Sequence, residues 1–235
     1  MFPEENIFSG NWSKDDSIYY KWKEIERYTI EKSSYSVVVS KPMIRLTGKD
    51  YDSDKVKYIP IGFDSEKFVA NTSSRDRIRA DLEVQDKKVI VYSGSLQLNF
   101  WNDLGIYSEF FNKINLIMDN VHFLILTNSD HDQIIDFFDD KGIVNYSILS
   151  IDPTDIALYL SAADAGIQVM YEMEDSETRF GVKVVEYWAS GLPVITNRNV
   201  GGLCSLIKDD QYLGLIVDSE ADLKNIGLYL NNIKL

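Results

Sequence analysis

Short uninterrupted apolar runs alternate with longer amphipathic segments through most of this chain. Runs such as VIVY and FLIL carry no polar residue at either phase of the two-residue strand period, which is typical of strands buried on both faces. Parallel strands have this burial, and each needs a crossover segment that returns the chain to the same end of the sheet. The pattern predicts an α/β fold, a doubly wound, Rossmann-like parallel sheet with helices on both faces.

The alternation predicts an ordered series of elements, which begins with a helix, a short strand and a second helix near the N-terminus. Strands are expected at Ser36–Ser40, Lys88–Ser93, Val121–Thr127, Tyr146–Ile151, Gly166–Met170, Pro193–Asn197 and Gly214–Asp218. Helices are expected at Ser17–Ser33, Pro42–Lys49, Ser73–Val84, Asp103–Met118, His131–Asp140, Thr154–Ala163, Val182–Ser190, Gly202–Lys208 and Ala221–Ile233, with Ser73 or Ser74 as an N-cap.

The stretch RFGVKVVEYWASGLPVITN, residues 179–197, reads as a loop, a helix, a glycine stop and a buried strand. At the helical period one arc is apolar and the opposite, narrower arc is polar. The apolar arc contains Val182, Val184, Val185, Trp188 and Ala189, and the polar arc contains Lys183, Glu186, Tyr187 and Ser190.

The polar arc suits a phosphate-bearing ligand. Gly181 lets a ligand approach the free N–H groups of the first helical turn, and Lys183 adds a positive charge beside them. Glu186, one turn later, could accept hydrogen bonds from both hydroxyls of a ribose. Spacing alone equally allows a surface Lys–Glu pair on an amphipathic helix, worth roughly 0.2–0.5 kcal/mol.

The segment FGVKVVEYWASGLPVI resembles the donor-sugar segment of the family-four glycosyltransferases, which have the GT-B fold and retain the anomeric configuration. The matching residues are Phe180, Gly181, Val182, Lys183, Glu186, Ala189, Gly191, Pro193 and Val194. The family often carries a second Glu eight residues before the ribose Glu, where this chain has Thr178. The resemblance implies a donor site that needs no metal ion and no other cofactor.

The resemblance implies catalytic roles for Lys183 and Glu186 and a donor site built from several loops. The donor-binding residues would be Gly94, Ser95, Ile151, Arg179, Phe180, Gly181, Val182, Lys183 and Glu186. The family often places Arg and Lys after the strand that ends at Ser93 to clamp the diphosphate, but QLNFWND follows here. Arg179 is the nearest cation that could replace this clamp.

The segment YIPIGFDSEKF resembles the family's passage between its two domains. Residues 1–55 would then be the tail end of the N-terminal, acceptor domain, and residues 56–235 the donor-binding domain. A chain of this kind would bind donor but be incomplete for catalysis. We expect its N-terminal helix to bury its apolar residues by folding back on the donor domain or by pairing with a second copy in a homodimer.

Composition excludes several classes of partner. The net charge of −13 should repel nucleic acid and anionic membrane surfaces, and the sequence has no apolar stretch long enough to span a membrane. Because Cys204 is the one cysteine, the chain cannot form an intrachain disulfide. This favours a reducing, cytoplasmic location. Glu172, Glu174, Asp175 and Glu177 crowd one loop, but no His joins them, so we expect no metal site.

The resulting interpretation is a glycosyltransferase of polysaccharide biosynthesis. It would transfer a sugar from a nucleotide-diphosphate sugar to a saccharide or lipid-linked acceptor. Two alternatives remain open at this stage, a sugar-nucleotide 2-epimerase of the same fold and a non-catalytic nucleotide-binding module. His122 and His131 have no partner residues that would indicate a catalytic role for them.

Overall fold

Six parallel strands form the central sheet in the computed structural model, which describes residues 3–44, 53–68, 72–98, 102–173 and 176–232. The chain winds outward in both directions from the central pair, because the strand order is β5-β4-β3-β6-β7-β8. This topology confirms the predicted doubly wound parallel sheet. The strands are β3 (Lys88–Ser93), β4 (Val121–Leu126), β5 (Tyr146–Leu149), β6 (Ala165–Gln168), β7 (Val194–Thr196) and β8 (Gly214–Ile216).

Helices cover both faces of this sheet. They are α4 (Thr72–Asp81), α5 (Leu104–Asn115), α6 (His131–Asp140), α7 (Ile156–Leu160), α8 (Val182–Ala189), α9 (Gly201–Asp209) and α10 (Glu220–Asn232). Buried residues of α5, α6 and α10 form the core on one face. Buried residues of α7, α8 and α9 form the core on the other. The continuous apolar strands are therefore covered on both sides, as the sequence predicts.

The N-terminal region forms a smaller unit of α1 (Pro3–Phe8), α2 (Ser17–Lys32), β1 (Ser36–Val38), α3, described over residues 41–44, and β2 (Val56–Tyr58). β1 and β2 pair in parallel as a separate two-stranded sheet. The sequence pattern missed α1 and β2, which are short. The rest of the helix predicted at Pro42–Lys49 lies outside the described residues.

The apolar side chains of α2 are not buried by the part of the chain that the structure describes, although Trp22 stacks on Trp12. None of its residues is buried, and Tyr20 and Tyr28 are each 61% exposed. The expectation that this helix folds back on the donor domain is therefore wrong. Pairing with a second copy stays a prediction.

Most predicted elements are present with somewhat shorter ends. The largest difference is α7, which the sequence places at Thr154–Ala163 and which extends only over Ile156–Leu160. The helix predicted at Ser73–Val84 begins at Thr72, so neither Ser73 nor Ser74 is its N-cap. Element ends shift because capping and packing, which the periodicity does not contain, decide the last turn.

α4 is anchored to the sheet by a buried carboxylate. The side chain of Asp164 accepts hydrogen bonds from Arg75 at 2.6 Å and from Arg79 at 3.3 Å. The same carboxylate accepts the backbone N–H of Val89 at 2.7 Å. One residue at the start of β6 thus joins α4 to β3.

Candidate donor-binding site

A cavity of about 430 Å³ opens where β3, β4 and β5 end. Ligands of open parallel sheets bind beyond the carboxyl ends of the strands, so this position agrees with the predicted site. Of the predicted residues, Gly94, Ser95, Ile151 and Lys183 come together around it. The remaining lining residues are Ser93, Gln97, Leu126, Thr127, Asn128, Ser129, Pro153 and Ile156.

The loop after β3 forms one wall of the cavity and depends on a glycine. Gly94 has φ +149°, and a Cβ there would lie 3.0 Å from the Tyr92 hydroxyl oxygen. Both conditions disfavour any other residue. Ser95 follows, with its Oγ 3.5 Å from the Oγ of Ser129, which also accepts the backbone N–H of Leu96 at 3.0 Å. The wall therefore presents hydroxyl groups and backbone.

Lys183 is the cation of this cavity, and it is engaged with Glu186. Its Nζ lies 3.0 Å from each carboxylate oxygen of Glu186. The Lys183 side chain is 33% exposed and that of Glu186 is 18% exposed. The ion pair of the simpler interpretation is thus formed in this structure, at the cavity and not on an open helix face. A phosphate that approaches Lys183 has to compete with Glu186 for it.

Gly181 has a packing role that the sequence did not indicate. It is the N-cap residue of α8 and, as a glycine, makes no side-chain hydrogen bond to the first helical turn. A Cβ at this position would lie 2.6 Å from Oε1 of Gln168, the last residue of β6. The glycine therefore lets the start of α8 pack against Gln168.

The two predicted arcs of α8 are partly wrong. Tyr187, expected on the polar arc, is fully buried, and Ser190 is buried as well. Val182, expected on the apolar arc, is 59% exposed. Tyr187 is buried because Gly166 on β6 has no side chain and leaves room for the Tyr187 ring against the sheet.

The other predicted residues are absent from the lining of the cavity in the described part of the chain. Arg179 is buried, and its carbonyl oxygen accepts the N–H of Gly202 at 2.8 Å. Phe180 packs edge-on against Trp188, with the ring centroids 6.0 Å apart. Contacts of Arg179, Phe180 and Val182 with a donor stay predictions.

The loop after β4 was missed by the sequence interpretation. Thr127, Asn128 and Ser129 form a wall between the β3 and β5 loops. Nε2 of His131 lies 3.1 Å from the Thr127 carbonyl oxygen and 3.1 Å from the Ser150 hydroxyl. The sequence could have indicated this wall, since β4 is a predicted parallel strand and its carboxyl end must reach the same sheet edge as the ends of β3 and β5.

The acidic loop after β6 brings no metal ligands together in the described residues. Glu172 and Glu177 are exposed, and Glu174 and Asp175 lie outside the described residues. Within the described part of the chain, no group of three His, Cys, Asp or Glu side chains could hold a metal ion. That the site needs no metal stays a prediction. No described helix is long and apolar enough to cross a membrane.

Comparisons with known proteins agree with this architecture. A family model described as glycosyl transferases group 1 matches residues 87–230. No curated protein matches the chain. Among solved structures, WaaG, a glycosyltransferase involved in lipopolysaccharide biosynthesis, is 17% identical with a TM-score of 0.67, over 92% of this chain and 59% of its own.

Two further solved structures have similar scores. HepE of Anabaena, solved in complex with UDP and glucose, is 16% identical with a TM-score of 0.66, over 85% of this chain and 54% of its own. Sucrose-phosphate synthase of Thermosynechococcus elongatus is 20% identical with a TM-score of 0.70, over 97% and 57%. At these identities the likeness establishes the fold. The chain spans less than two thirds of the length of each.

Proposed function

Because the chain belongs to the glycosyl transferases group 1 family, we propose that its cavity at the ends of β3, β4 and β5 binds a nucleotide-diphosphate sugar. The observation that carries this proposal is the convergence of Gly94, Ser95, Ile151 and Lys183 on one cavity. They come from two loops and one helix, since Gly94 and Ser95 follow β3, Ile151 follows β5 and Lys183 lies in α8. A glycine loop, hydroxyl groups and a cation are the groups that hold a diphosphate.

The proposed chemistry is electrostatic stabilisation of the leaving diphosphate. The backbone of Gly94 and Ser95, the first turn of α8 and the Lys183 ammonium group would balance the charge that develops as the sugar leaves. The base would lie against Ile151 and Pro153, and Glu186 would accept the ribose hydroxyls once Lys183 turns to the phosphate. Arg179 is the second cation that we assign to the diphosphate. Because Arg179 is buried, this assignment requires its side chain to turn towards the cavity.

We further propose that the acceptor is a saccharide or a lipid-linked saccharide and that transfer retains the anomeric configuration. Phe180, Gly181 and Val182 would face the donor sugar. Residues 1–55 would belong to an acceptor-side domain and residues 56–235 to the donor domain, within the cytoplasm. The share of each solved structure that the chain matches, between 54% and 59%, supports a role as the donor-binding half.

Calorimetry with uridine, guanosine, adenosine and thymidine diphosphates tests the donor site. Uridine diphosphate is the first choice, because HepE was solved with UDP. A diphosphate at 100 times its Kd should raise the free energy of unfolding by about 2.7 kcal/mol. No heat at millimolar concentrations of all four ligands would refute the proposal.

Turnover of a nucleotide sugar distinguishes the alternatives. A non-catalytic nucleotide-binding module is favoured by the Lys183–Glu186 pair, which leaves no disengaged lysine among the described residues that line the cavity. Such a module would bind the diphosphate and leave the sugar intact. A 2-epimerase would return an isomeric sugar, whereas a transferase would glycosylate an acceptor. We expect this chain to bind donor without efficient transfer, and rapid transfer to a mixed pool of acceptors would contradict its assignment as a half.

A further inference from the structure

Tyr187 joins the helix of the proposed donor site to the loop on the opposite wall. It follows Glu186 directly in α8, and its side chain is fully buried. Its hydroxyl oxygen accepts the backbone N–H of Ser93, the last residue of β3, at 2.8 Å. Gly94 and Ser95 come next in the chain. A single hydrogen bond thus connects α8, which carries Lys183, with the start of the glycine loop.

The path of this side chain depends on Gly166. A Cβ at position 166 would lie 2.3 Å from Cδ2 of Tyr187, a distance that real Cβ atoms do not reach. The ring therefore occupies the space where β6 has no side chain, and its hydroxyl reaches across to the neighbouring strand β3. An alanine at position 187 would leave a large hole there, and a larger residue at 166 would displace the ring.

A second tyrosine holds the other side of the same loop. The hydroxyl of Tyr92 donates to the carbonyl oxygen of Ser95. The Tyr92 ring packs on Tyr107, with centroids 4.5 Å apart. Phenol oxygens therefore bind the backbone immediately before and immediately after Gly94. The loop is held by side chains from two directions, and one of them comes from α8.

We propose that Tyr187 is a positioning residue that sets the distance between the Gly94–Ser95 loop and Lys183, so that both reach the same diphosphate. The inference rests on the proposed donor site. Its consequence is selective, because the base is assigned to Ile151 and Pro153 in the loop after β5, whereas the hydrogen bond of Tyr187 holds the backbone at the end of β3. Loss of the hydroxyl should weaken binding of the diphosphate and leave binding of the nucleoside unchanged.

Tyr187→Phe tests this by removing the hydroxyl while the ring stays against Gly166. Ser93 N–H then loses its buried acceptor. We expect the Kd for uridine diphosphate to rise about 10-fold, equivalent to about 1.4 kcal/mol, and the Kd for uridine to stay the same. A residue that only supports folding would lower the melting temperature but leave the ratio of these two constants unchanged, which would overturn the proposal.

Tyr107→Phe is the matched control. Tyr107 is also fully buried, and its hydroxyl oxygen also accepts a backbone N–H, that of Val169 at 3.4 Å. The hydroxyl of Tyr107 bonds Val169 and not the glycine loop, and the ring that packs on Tyr92 stays in the variant, so Tyr107→Phe should lose stability without a change in the ratio. If both variants changed the ratio equally, the effect would belong to the core in general and the assignment to Tyr187 would be wrong.

A measurement without ligand separates this inference from the donor site itself. Backbone amides of Gly94 and Ser95 should exchange hydrogen faster in Tyr187→Phe than in the wild type and in Tyr107→Phe. If the wild-type protein binds no diphosphate, the proposed donor site is refuted. Unchanged exchange rates in Tyr187→Phe would refute the proposal that Tyr187 holds the Gly94–Ser95 loop. Should Tyr187→Phe not fold, Gly166→Ala displaces the same ring and should give the same phosphate-selective loss. An unchanged ratio there would refute the proposal.

Discussion

The Lys183–Glu186 pair gives the proposed site a defined unliganded state. Both carboxylate oxygens of Glu186 lie 3.0 Å from Lys183 Nζ. Donor binding would exchange this pair for two new interactions, one between Lys183 and phosphate and one between Glu186 and ribose. A ligand that offers only phosphate, or only ribose, has to break the pair and leaves one partner without compensation. The site should therefore favour ligands that carry both groups.

Glu186→Ala should weaken binding of a nucleoside diphosphate about 10- to 150-fold, because charged hydrogen bonds to ribose contribute roughly 1.5–3 kcal/mol. Loss of the ion pair alone should lower the free energy of unfolding by less than about 0.5 kcal/mol. Calorimetric Kd values and urea unfolding measure the two effects. Glu26→Ala in α2 is the control, since Lys23–Glu26 has the same i, i+3 spacing. A diphosphate Kd equal to that of the control variant would exclude the ribose role.

His122 should make stability, but not ligand binding, depend on pH. Desolvation by burial, with a smaller contribution from Lys87, lowers the pKa of His122 to about 4. Because the unfolded value is near 6.5, the folded chain binds fewer protons between these two values. The free energy of unfolding should therefore be fully retained above about pH 6.5 and decrease as the pH falls towards about 4.

Urea unfolding of the wild type and His122→Asn at about pH 7, 5.5 and 4.5 measures this contribution. The stability difference between the two proteins should become smaller as the pH falls. Curves that remain parallel would show that His122 does not titrate in this window. His122 lies near the start of β4, whereas the cavity is at the strand ends, so nucleotide Kd values should agree between the two proteins.

At the scale of elements, one buried carboxylate helps to hold α4 against the sheet, together with backbone carbonyl oxygens that accept from Arg75 and Arg79. Asp164→Ala removes the acceptor of Arg75, Arg79 and the Val89 N–H, and the side chain of Arg79 is only 9% exposed. Breaking a buried ion pair by removing one partner costs about 3–5 kcal/mol. The control is Asp209→Ala, whose Lys41 partner is exposed, and this change should cost less than about 1 kcal/mol. Urea unfolding would contradict this prediction if the two variants were equally stable.

At the scale of the whole molecule, the exposed face of α2 should promote association. Trp22, Ile25 and Tyr28 stand three residues apart on one face and are between 45% and 61% exposed. If two copies pair through this face, Ile25→Glu should shift the sedimentation of the chain from dimer to monomer. Arg27→Gln lowers the net charge by the same single unit on the opposite side of the helix and should leave the dimer intact. A wild-type chain that sediments only as a monomer would refute the proposed homodimer.

Much of the fold could be predicted from local patterns. The bounds of β3 and α6 agree with the predicted bounds, and the resemblance carried by residues 180–195 is confirmed by the family match. The prediction of the site was less complete than that of the fold, because three of the strand-end loops were identified and the loop after β4 was not. Thr127 and Ser129 line the cavity because β4 lies between β3 and β5 in the sheet. No single segment of the sequence contains the information on this strand order.

The sequence by itself determined which segments around the central sheet are strands and helices, because burial on two faces and the helical period are properties of neighbouring residues. It also indicated the glycine loop at Gly94 and the Lys183–Glu186 spacing, which are local. Only the tertiary structure decided that Tyr187 is buried and that Val182 is exposed. The physical reason for the burial of Tyr187 is that its ring takes the space left by Gly166 on β6, a residue distant in sequence that no periodicity within the helix can reveal.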